Sequence, residues 1–452
     1  MGYRICLARP TQATTVGEDA DSAVLRSDQG EPVNEALRRW DKKLEEWAAA
    51  DTRRRLLGGA LLLVSALPFL ATVLSRVLGD TGVYANAARA LREGAGLYGQ
   101  VPFEYPPYAL LWFLVPPVEE PRSFQVVFNL EMLALDLAIK GMLLLEGHRQ
   151  GRGLRALLPF AVWTVSGWLQ EYVFLRRFDL APAAMTVGAA LLMLRGRFLL
   201  SGVLLAVGMG TKVYPVLLLP VAAIAAWREG RLGRLVAGGV LGLAPLVALA
   251  FVWPWWTFAS FHAARGLQVE SLPAALLWLG HHAAGWPVTW RCLPTWDELG
   301  GPMAQALLPW VRAAWMGVTA GSALLGAAVF LRRPRPDFTA QVEALVLPVL
   351  AFAAFNFVLS PQYHIWFMPL AALLMVGRAP RVAVLLLVAT ALIPLFYPSR
   401  GYHQGLSAAR TLALLARDLL LVAAWAALAR RALGTVIPPG RFRRRVPHFW
   451  AG

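Results

Sequence analysis

The sequence predicts an all-α, polytopic transmembrane helical bundle of about 12 spans. Three observations carry this expectation. Of the 452 residues, 58% are hydrophobic and only 15% charged, too little charge to cover a soluble domain. Continuous apolar stretches recur from Leu56 to Leu433, many close to the roughly 20 residues that cross a bilayer as a helix. Between them stand short arginine-rich clusters at 53–55, 148–155, 195–197, 228–234, 332–335, 378–381 and 430–431. The net charge of +16 resides largely in these loops and at the chain ends. It therefore reads as membrane orientation, and nucleic-acid binding is not expected.

In chain order, residues 1–50 form a polar cytoplasmic tail of mixed charge, without the apolar core of a cleavable signal peptide. Within it Ala36–Ala49 reads equally as a short amphipathic surface helix or as loosely ordered chain. Residues 51–434 form the transmembrane domain, and 435–452 a basic cytoplasmic tail. Spans are expected at 56–78, 122–146, 156–174, 178–195, 198–210, 213–227, 234–252, 303–331, 338–358, 364–377, 380–397 and 406–431. Placing the arginine clusters inside puts both termini in the cytoplasm, which an even number of spans satisfies. Several spans are shorter than a full crossing, which implies half-helices or kinks bordering a water-filled cavity. Pro106–Pro117 is apolar but short and proline-flanked. It reads as re-entrant or as a packed extracytoplasmic element, and Leu272–Gly285 has the same ambiguity.

With this topology the outer face collects an unusual set of residues. Asp80 follows the first apolar run and opens a long first extracytoplasmic loop that carries Tyr84, Arg89, Arg92, Glu104 and Tyr105. A carboxylate at a membrane edge is costly, so one held there points to function. The next outer turn holds Arg176-Arg-Phe-Asp179, and the tip between two short helices holds Gly210-Thr-Lys212-Val-Tyr-Pro215. Further on stand Arg265-Gly-Leu-Gln-Val-Glu-Ser271, Ser360-Pro-Gln-Tyr-His-Ile-Trp366 and Pro398-Ser-Arg-Gly-Tyr-His403. An outward face should be poor in cations, so Arg177, Lys212, Arg265 and Arg400 call for an anionic ligand. Lys212 is one of only four lysines and lies between apolar runs. It reads either as a lysine snorkelling to the interface or as a functional cation at a helix break.

Other charges have structural explanations. Asp136 and Lys140 are spaced i, i+4 and are expected to neutralise each other inside the bundle. Asp418, beside Arg417, is expected in a buried ion pair. Trp253, Trp255 and Trp256 read as an interfacial aromatic belt. His281 and His282 lack the neighbouring carboxylates of a metal site, and Cys6 and Cys292 are too isolated for a disulfide framework. No HExxH, GxSxG or P-loop signature occurs, so zinc hydrolysis, serine chemistry and nucleotide hydrolysis have no support.

Taken in order, Asp80-x-x-x-Tyr84, Gly94–Tyr98, Tyr105-Pro-Pro, Lys212-Val-Tyr-Pro215 and Ser360–Pro369 resemble the integral-membrane C-type glycosyltransferases. The nearest group is family 87, the polyprenyl-phosphate-mannose-dependent mannosyltransferases of actinobacteria, and the resemblance covers roughly 56–430. It implies the C-type architecture, a catalytic Asp at the start of the first outer loop, a lipid-phosphate-linked sugar donor and no metal or other cofactor. Asp80 matches that Asp, while Arg176-Arg-Phe-Asp179 replaces the Gln/Asn-containing turn of many relatives.

The residue chemistry agrees: transfer from a lipid phosphate needs a base for the acceptor hydroxyl, a role suited to Asp80. It also needs cations for the leaving phosphate, for which Lys212, Arg265 and His364 are the candidates, with Arg177 and Arg400 behind them. Glu270, Gln268 and Gln362 are candidates for hydrogen bonds to sugar hydroxyls. Tyr105 and Trp366 can stack on a sugar ring or line the lipid entrance, and Tyr84, Glu104 and Tyr363 complete the expected sugar and acceptor surface. The implied partners are the polyprenyl-phosphate sugar, a glycolipid or glycan acceptor and the bilayer of a bacterial plasma membrane. The main rival is a transporter or lipid-linked-sugar flippase, which should carry its ionisable residues at the midplane of broken helices.

Overall fold

The computed structural model describes residues 35, 38–43, 46, 51–75, 80–99, 101, 103–118, 120–293, 297–333, 336–397 and 405–437. Among the described residues, each segment expected to span is largely helical. Among the described residues, four helices can cross a membrane by length and composition: Thr52–Leu74, Leu232–Ala250, Pro302–Arg332 and Ala408–Val436. Shorter apolar helices stand beside them at Leu180–Leu194, Phe198–Thr211, Tyr214–Arg228, Phe338–Ala354 and Pro380–Phe396. Pro121–Gln150 is a single helix of 30 residues, but Glu131, Asp136 and Lys140 interrupt its apolar character. The protein is thus a predominantly helical, membrane-type bundle.

Turn chemistry accounts for the breaks. The expected span 156–174 divides at Gln170, whose side chain bonds back to the Ser166 carbonyl and hydroxyl at 3.1 and 3.0 Å. The expected span at 213–227 opens as a 3₁₀ turn, Tyr214–Leu218, with Pro215 in its first turn, where a missing N–H costs nothing. Of the N-terminal segment, the described residues between 35 and 46 are helical. Asp41 docks there, accepting from the Leu154 amide at 2.6 Å.

Two helices cross where their side chains are smallest. Phe198–Thr211 packs on Leu232–Ala250 through Gly202 and Ala206 against Gly238 and Gly242. A Cβ on Gly238 would stand 2.0 Å from the Leu199 carbonyl oxygen, and one on Gly202 2.3 Å from that of Leu235. The backbones are therefore in contact, as small residues allow in membrane helices.

The in-span charges are paired as expected. Lys140 lies 2.6 Å from Asp136 with both side chains fully buried, and Trp163 Nε1 donates to Asp136 at 2.8 Å. Arg417 Nε approaches Asp418 Oδ1 to 2.7 Å, also at zero exposure, although neither Asp418 oxygen has hydrogen-bond geometry. This second pair is a charge contact.

The described residues of 80–118 form short helices and turns. Helix Thr81–Arg92 ends in a turn in which Gly94 and Tyr98 have φ of 83° and 68°. Pro107–Ala109 and Leu110–Phe113 are short, largely buried turns, so the ambiguous stretch 106–117 is a packed element. Tyr108 reaches across to donate to the Gly242 carbonyl at 2.7 Å. Leu272–Ala284, the other ambiguous stretch, is a helix packed on Ala408–Val436.

The all-α expectation needs one correction. Leu267–Gln268, Asp297–Gly300 and Thr289–Cys292 form an antiparallel three-stranded sheet in that spatial order. Strands of two to four residues are too short for an alternating pattern to register in a sequence.

The helix crossing yields a paired prediction. Gly238→Ala should lower stability by about 1–3 kcal/mol through overpacking, read as the thermal midpoint in detergent. Gly239→Ala meets nothing within 4 Å and should be neutral or slightly stabilising, since alanine favours a helix by about 1 kcal/mol over glycine.

Candidate active site

Asp80 precedes helix Thr81–Arg92 in an α conformation and makes no side-chain cap. Its carboxylate turns instead to Arg177, with Nε to Oδ2 at 3.1 Å and Nη2 to Oδ1 at 3.4 Å. This two-point fork fixes the plane of the carboxylate. Arg177 Nη2 also reaches the Tyr397 hydroxyl at 3.5 Å.

Lys212 ends helix Phe198–Thr211 in an extended conformation, at the break the sequence suggested. Its ammonium lies 2.7 Å from Asp179 Oδ1, and Trp366 Nε1 donates to the same oxygen at 2.5 Å. Three rings surround the ammonium: Phe178 at 4.7 Å, Trp366 at 5.2 Å and Tyr105 at 5.7 Å to their centroids. The snorkelling alternative is therefore set aside, because the cation points into a protein-lined aromatic box.

Arg265 forms an ion pair with Glu104, both side chains being about nine-tenths buried. His262 Nε2 donates to the Glu104 carbonyl at 3.0 Å. Arg312, from within helix Pro302–Arg332, donates to the carbonyls of Ala263 and Arg265 at 2.9 and 2.6 Å and holds this segment in place. Three residues on, Gln268 Nε2 donates to Glu270 Oε2 at 3.0 Å, and Arg417 Nη2 donates to the Glu270 carbonyl at 2.5 Å.

Aromatic rings close the other side. Tyr363, Trp366 and Tyr214 form a continuous stack, with centroids 3.7 Å apart for the first pair and 4.5 Å for the second. Gln362, beside it, accepts from the Ser360 hydroxyl. Tyr84 stacks on Phe113 at 4.4 Å and meets Phe178 edge-on at 5.5 Å.

Electrostatics bind these parts into one site. Burial, with Asp80 next, pushes the Tyr84 phenol well above its usual range, and Arg177, Asp179 and Glu104 also act on it. Burial and then Glu104 push Tyr105 the same way, with Asp80 contributing. Burial likewise raises Tyr363, on which Arg265, Asp179, Glu104 and Arg177 all bear. The three phenols stay neutral and can serve as hydrogen-bond donors. Asp80, Glu104, Tyr105, Arg177, Lys212, Arg265, Tyr363 and Trp366 thus share one neighbourhood, though they span most of the chain.

His364 departs from the expected phosphate-binding set. It has no exposed surface, and its Nδ1 donates to Thr390 Oγ1 at 2.9 Å, the Thr390 hydroxyl hydrogen being committed to Leu386. A ring enclosed between helices presents nothing to a phosphate. Arg400 lies outside the described residues. Asp179, Arg312 and Tyr397 were not singled out in the sequence, although Asp179 and Tyr397 lie in or beside the outer turns that were. Among the described residues no group of three or more His, Cys, Asp or Glu could hold a metal ion. His281 and His282 instead bond the backbone carbonyls of Trp286 and Leu406 at 2.8 and 3.0 Å.

Comparison with family models, with curated proteins and with solved structures finds no match for the chain.

The Lys212–Asp179 contact is the most exacting of these pairings. Lys212→Met should cost about 3–5 kcal/mol, because it leaves a carboxylate with 1% exposure and no counter-charge beside it. Adding Asp179→Asn should recover most of that loss. Thermal midpoints of the single and double variants in detergent provide the check.

Proposed function

We propose that the protein is a membrane glycosyltransferase. It moves a sugar, by default mannose, from a polyprenyl-phosphate donor to a hydroxyl of a cell-envelope lipid or glycan. In this reading the bundle has about 12 spans, both termini face the cytoplasm and the site faces outward.

One observation carries the proposal. Among the carboxylates of the site, Asp80 is the reachable one, with its side chain 35% exposed against 9% for Glu104 and 1% for Asp179. It is also held in a fixed plane, within a neighbourhood of cations and stacked rings. An accessible, oriented carboxylate beside fixed cations is what a displacement at an anomeric carbon requires.

The step balances without an additional reactant. The acceptor oxygen attacks the anomeric carbon, the bond from that carbon to the phosphate oxygen breaks, and the acceptor proton passes to Asp80. The polyprenyl phosphate leaves with one more negative charge, which Arg177, Lys212 and Arg265 are positioned to stabilise. The Tyr363–Trp366–Tyr214 stack supplies flat apolar faces for a sugar ring or for the first isoprene units. The resemblance of the motif order to the family 87 mannosyltransferases is the second ground for this reading.

The test is sugar transfer in membranes containing the protein, with labelled polyprenyl-phosphate-mannose and mixed glycolipid acceptors. Asp80→Asn should lower the transfer rate by about 10²–10⁴-fold while leaving donor binding intact. Transfer at the wild-type rate would refute the base role. Movement of the intact donor across the bilayer, without transfer, would favour the transporter reading.

A further inference from the structure

A polar cavity lies toward the opposite ends of two helices that support the site. Arg312 and Arg417 belong to the site end of helices Pro302–Arg332 and Ala408–Val436. From there each helix runs on to an arginine at its far end: about 30 Å to Arg332 and about 21 Å to Arg431, at 1.5 Å per residue. Phe338–Ala354, about 25 Å long, runs in reverse, starting beside the cavity and ending next to Phe357, which Arg312 stacks over at 4.9 Å. The cavity has a volume of about 210 Å³ and is lined by Arg333, Asp337, Thr339, Glu343, Arg378 and Arg431 among others.

The charges in this cavity are unequally committed. Glu343 takes Arg431 as its partner. Asp337 caps helix Phe338–Ala354, accepting from the Ala340 amide at 2.9 Å. The Arg378 backbone amide donates to Thr339 Oγ1 at 2.9 Å, which fixes where the arginine stands. Neither the Arg333 nor the Arg378 guanidinium is bonded to a described residue, and both residues are exposed. Three arginines thus face two carboxylates that already have partners, and the two uncommitted cations come from different elements. A guanidinium pair around a cavity of this size suits a tetrahedral oxyanion with two-point bonding to each fork.

We propose that this cavity binds a phosphate group at the membrane face opposite the candidate active site. The phosphate is carried by an anionic phospholipid headgroup or arrives as free phosphate. A basic recess between helices at a bilayer surface is where headgroups are held. The inference does not depend on which reaction the other face supports.

The experiment uses the full chain and two probes. Native mass spectrometry after reconstitution into phosphatidylcholine vesicles containing phosphatidylglycerol counts the retained anionic lipid. Titration of the protein with inorganic phosphate, in phosphatidylcholine nanodiscs, measures free anion binding. Wild type should retain phosphatidylglycerol, and Arg333→Gln with Arg378→Gln should weaken binding about tenfold or more. Arg381→Gln, an exposed arginine outside the cavity lining, should change nothing. Arg378→Lys keeps the charge but loses the two-point fork, and should bind less tightly than wild type yet more tightly than Arg378→Gln, which separates binding from folding. Phosphate binding without lipid retention, lost in the double variant, would identify free phosphate as the ligand. Absence of both, unchanged binding in the double variant, or an equal loss in Arg381→Gln would overturn the proposal.

Discussion

The Asp179 carboxylate accepts from both Lys212 and Trp366, and so joins three helices where each begins or ends. It stands just before Leu180–Leu194, Lys212 just after Phe198–Thr211, and Trp366 in the first turn of His364–Ala372. A carboxylate this deeply buried costs several kcal/mol unless it is paired, so the three elements cannot separate without exposing a charge. The aromatic rings around Lys212 depend on the same node, because Phe178 and Trp366 are positioned by it. The Tyr363–Trp366–Tyr214 stack follows in turn.

This arrangement has a chemical consequence. Arg177, Lys212 and Arg265 each have a carboxylate partner: Asp80, Asp179 and Glu104. Pairing orients the cations before any ligand arrives, so no reorganisation is needed during a reaction. It also attenuates their field, so an incoming phosphate must share each cation with its carboxylate. The partially exposed Asp80–Arg177 pair is the easiest to share, and protonation of Asp80 during transfer would release Arg177 toward the leaving group. Base and phosphate ligand would then act as one coupled unit.

Much of the bundle could be read directly from the sequence. Apolar runs marked the helices, Gly-Thr-Lys212 marked a break, and the i, i+4 spacing of Asp136 and Lys140 anticipated a pair that is buried as expected. The candidate residues were also legible as a group, because unpaired polar residues in so apolar a chain are conspicuous. Their partners were not. Lys212 and Asp179 are 33 residues apart, and Arg265 and Glu104 are 161 apart, with no periodicity relating them. Arg177, Lys212 and Arg265, which looked available for a ligand, are therefore committed within the fold. His364 misled for a related reason. Its place in a run of site residues suggested exposure, whereas the helix it opens turns the ring toward Thr390. The small sheet was hidden because its strands are held by their partners and not by their own pattern.

The two ends of the bundle bear on each other through the bilayer. The stretch of helix from Arg312 to Arg332 is about 30 Å long, close to the thickness of a hydrocarbon core. If Arg333 and Arg378 hold phosphate at one headgroup layer, Arg312 stands level with the other layer. Arg312 fixes the backbone of Arg265, so the Arg265–Glu104 pair lies at that same depth. A lipid-linked sugar carries its phosphate at the headgroup layer, with its chain in the membrane. A substrate of that kind would meet these cations without leaving the bilayer, whereas a soluble sugar phosphate would gain nothing from the match. The depth would then suit the lipid-borne donor of the proposed function.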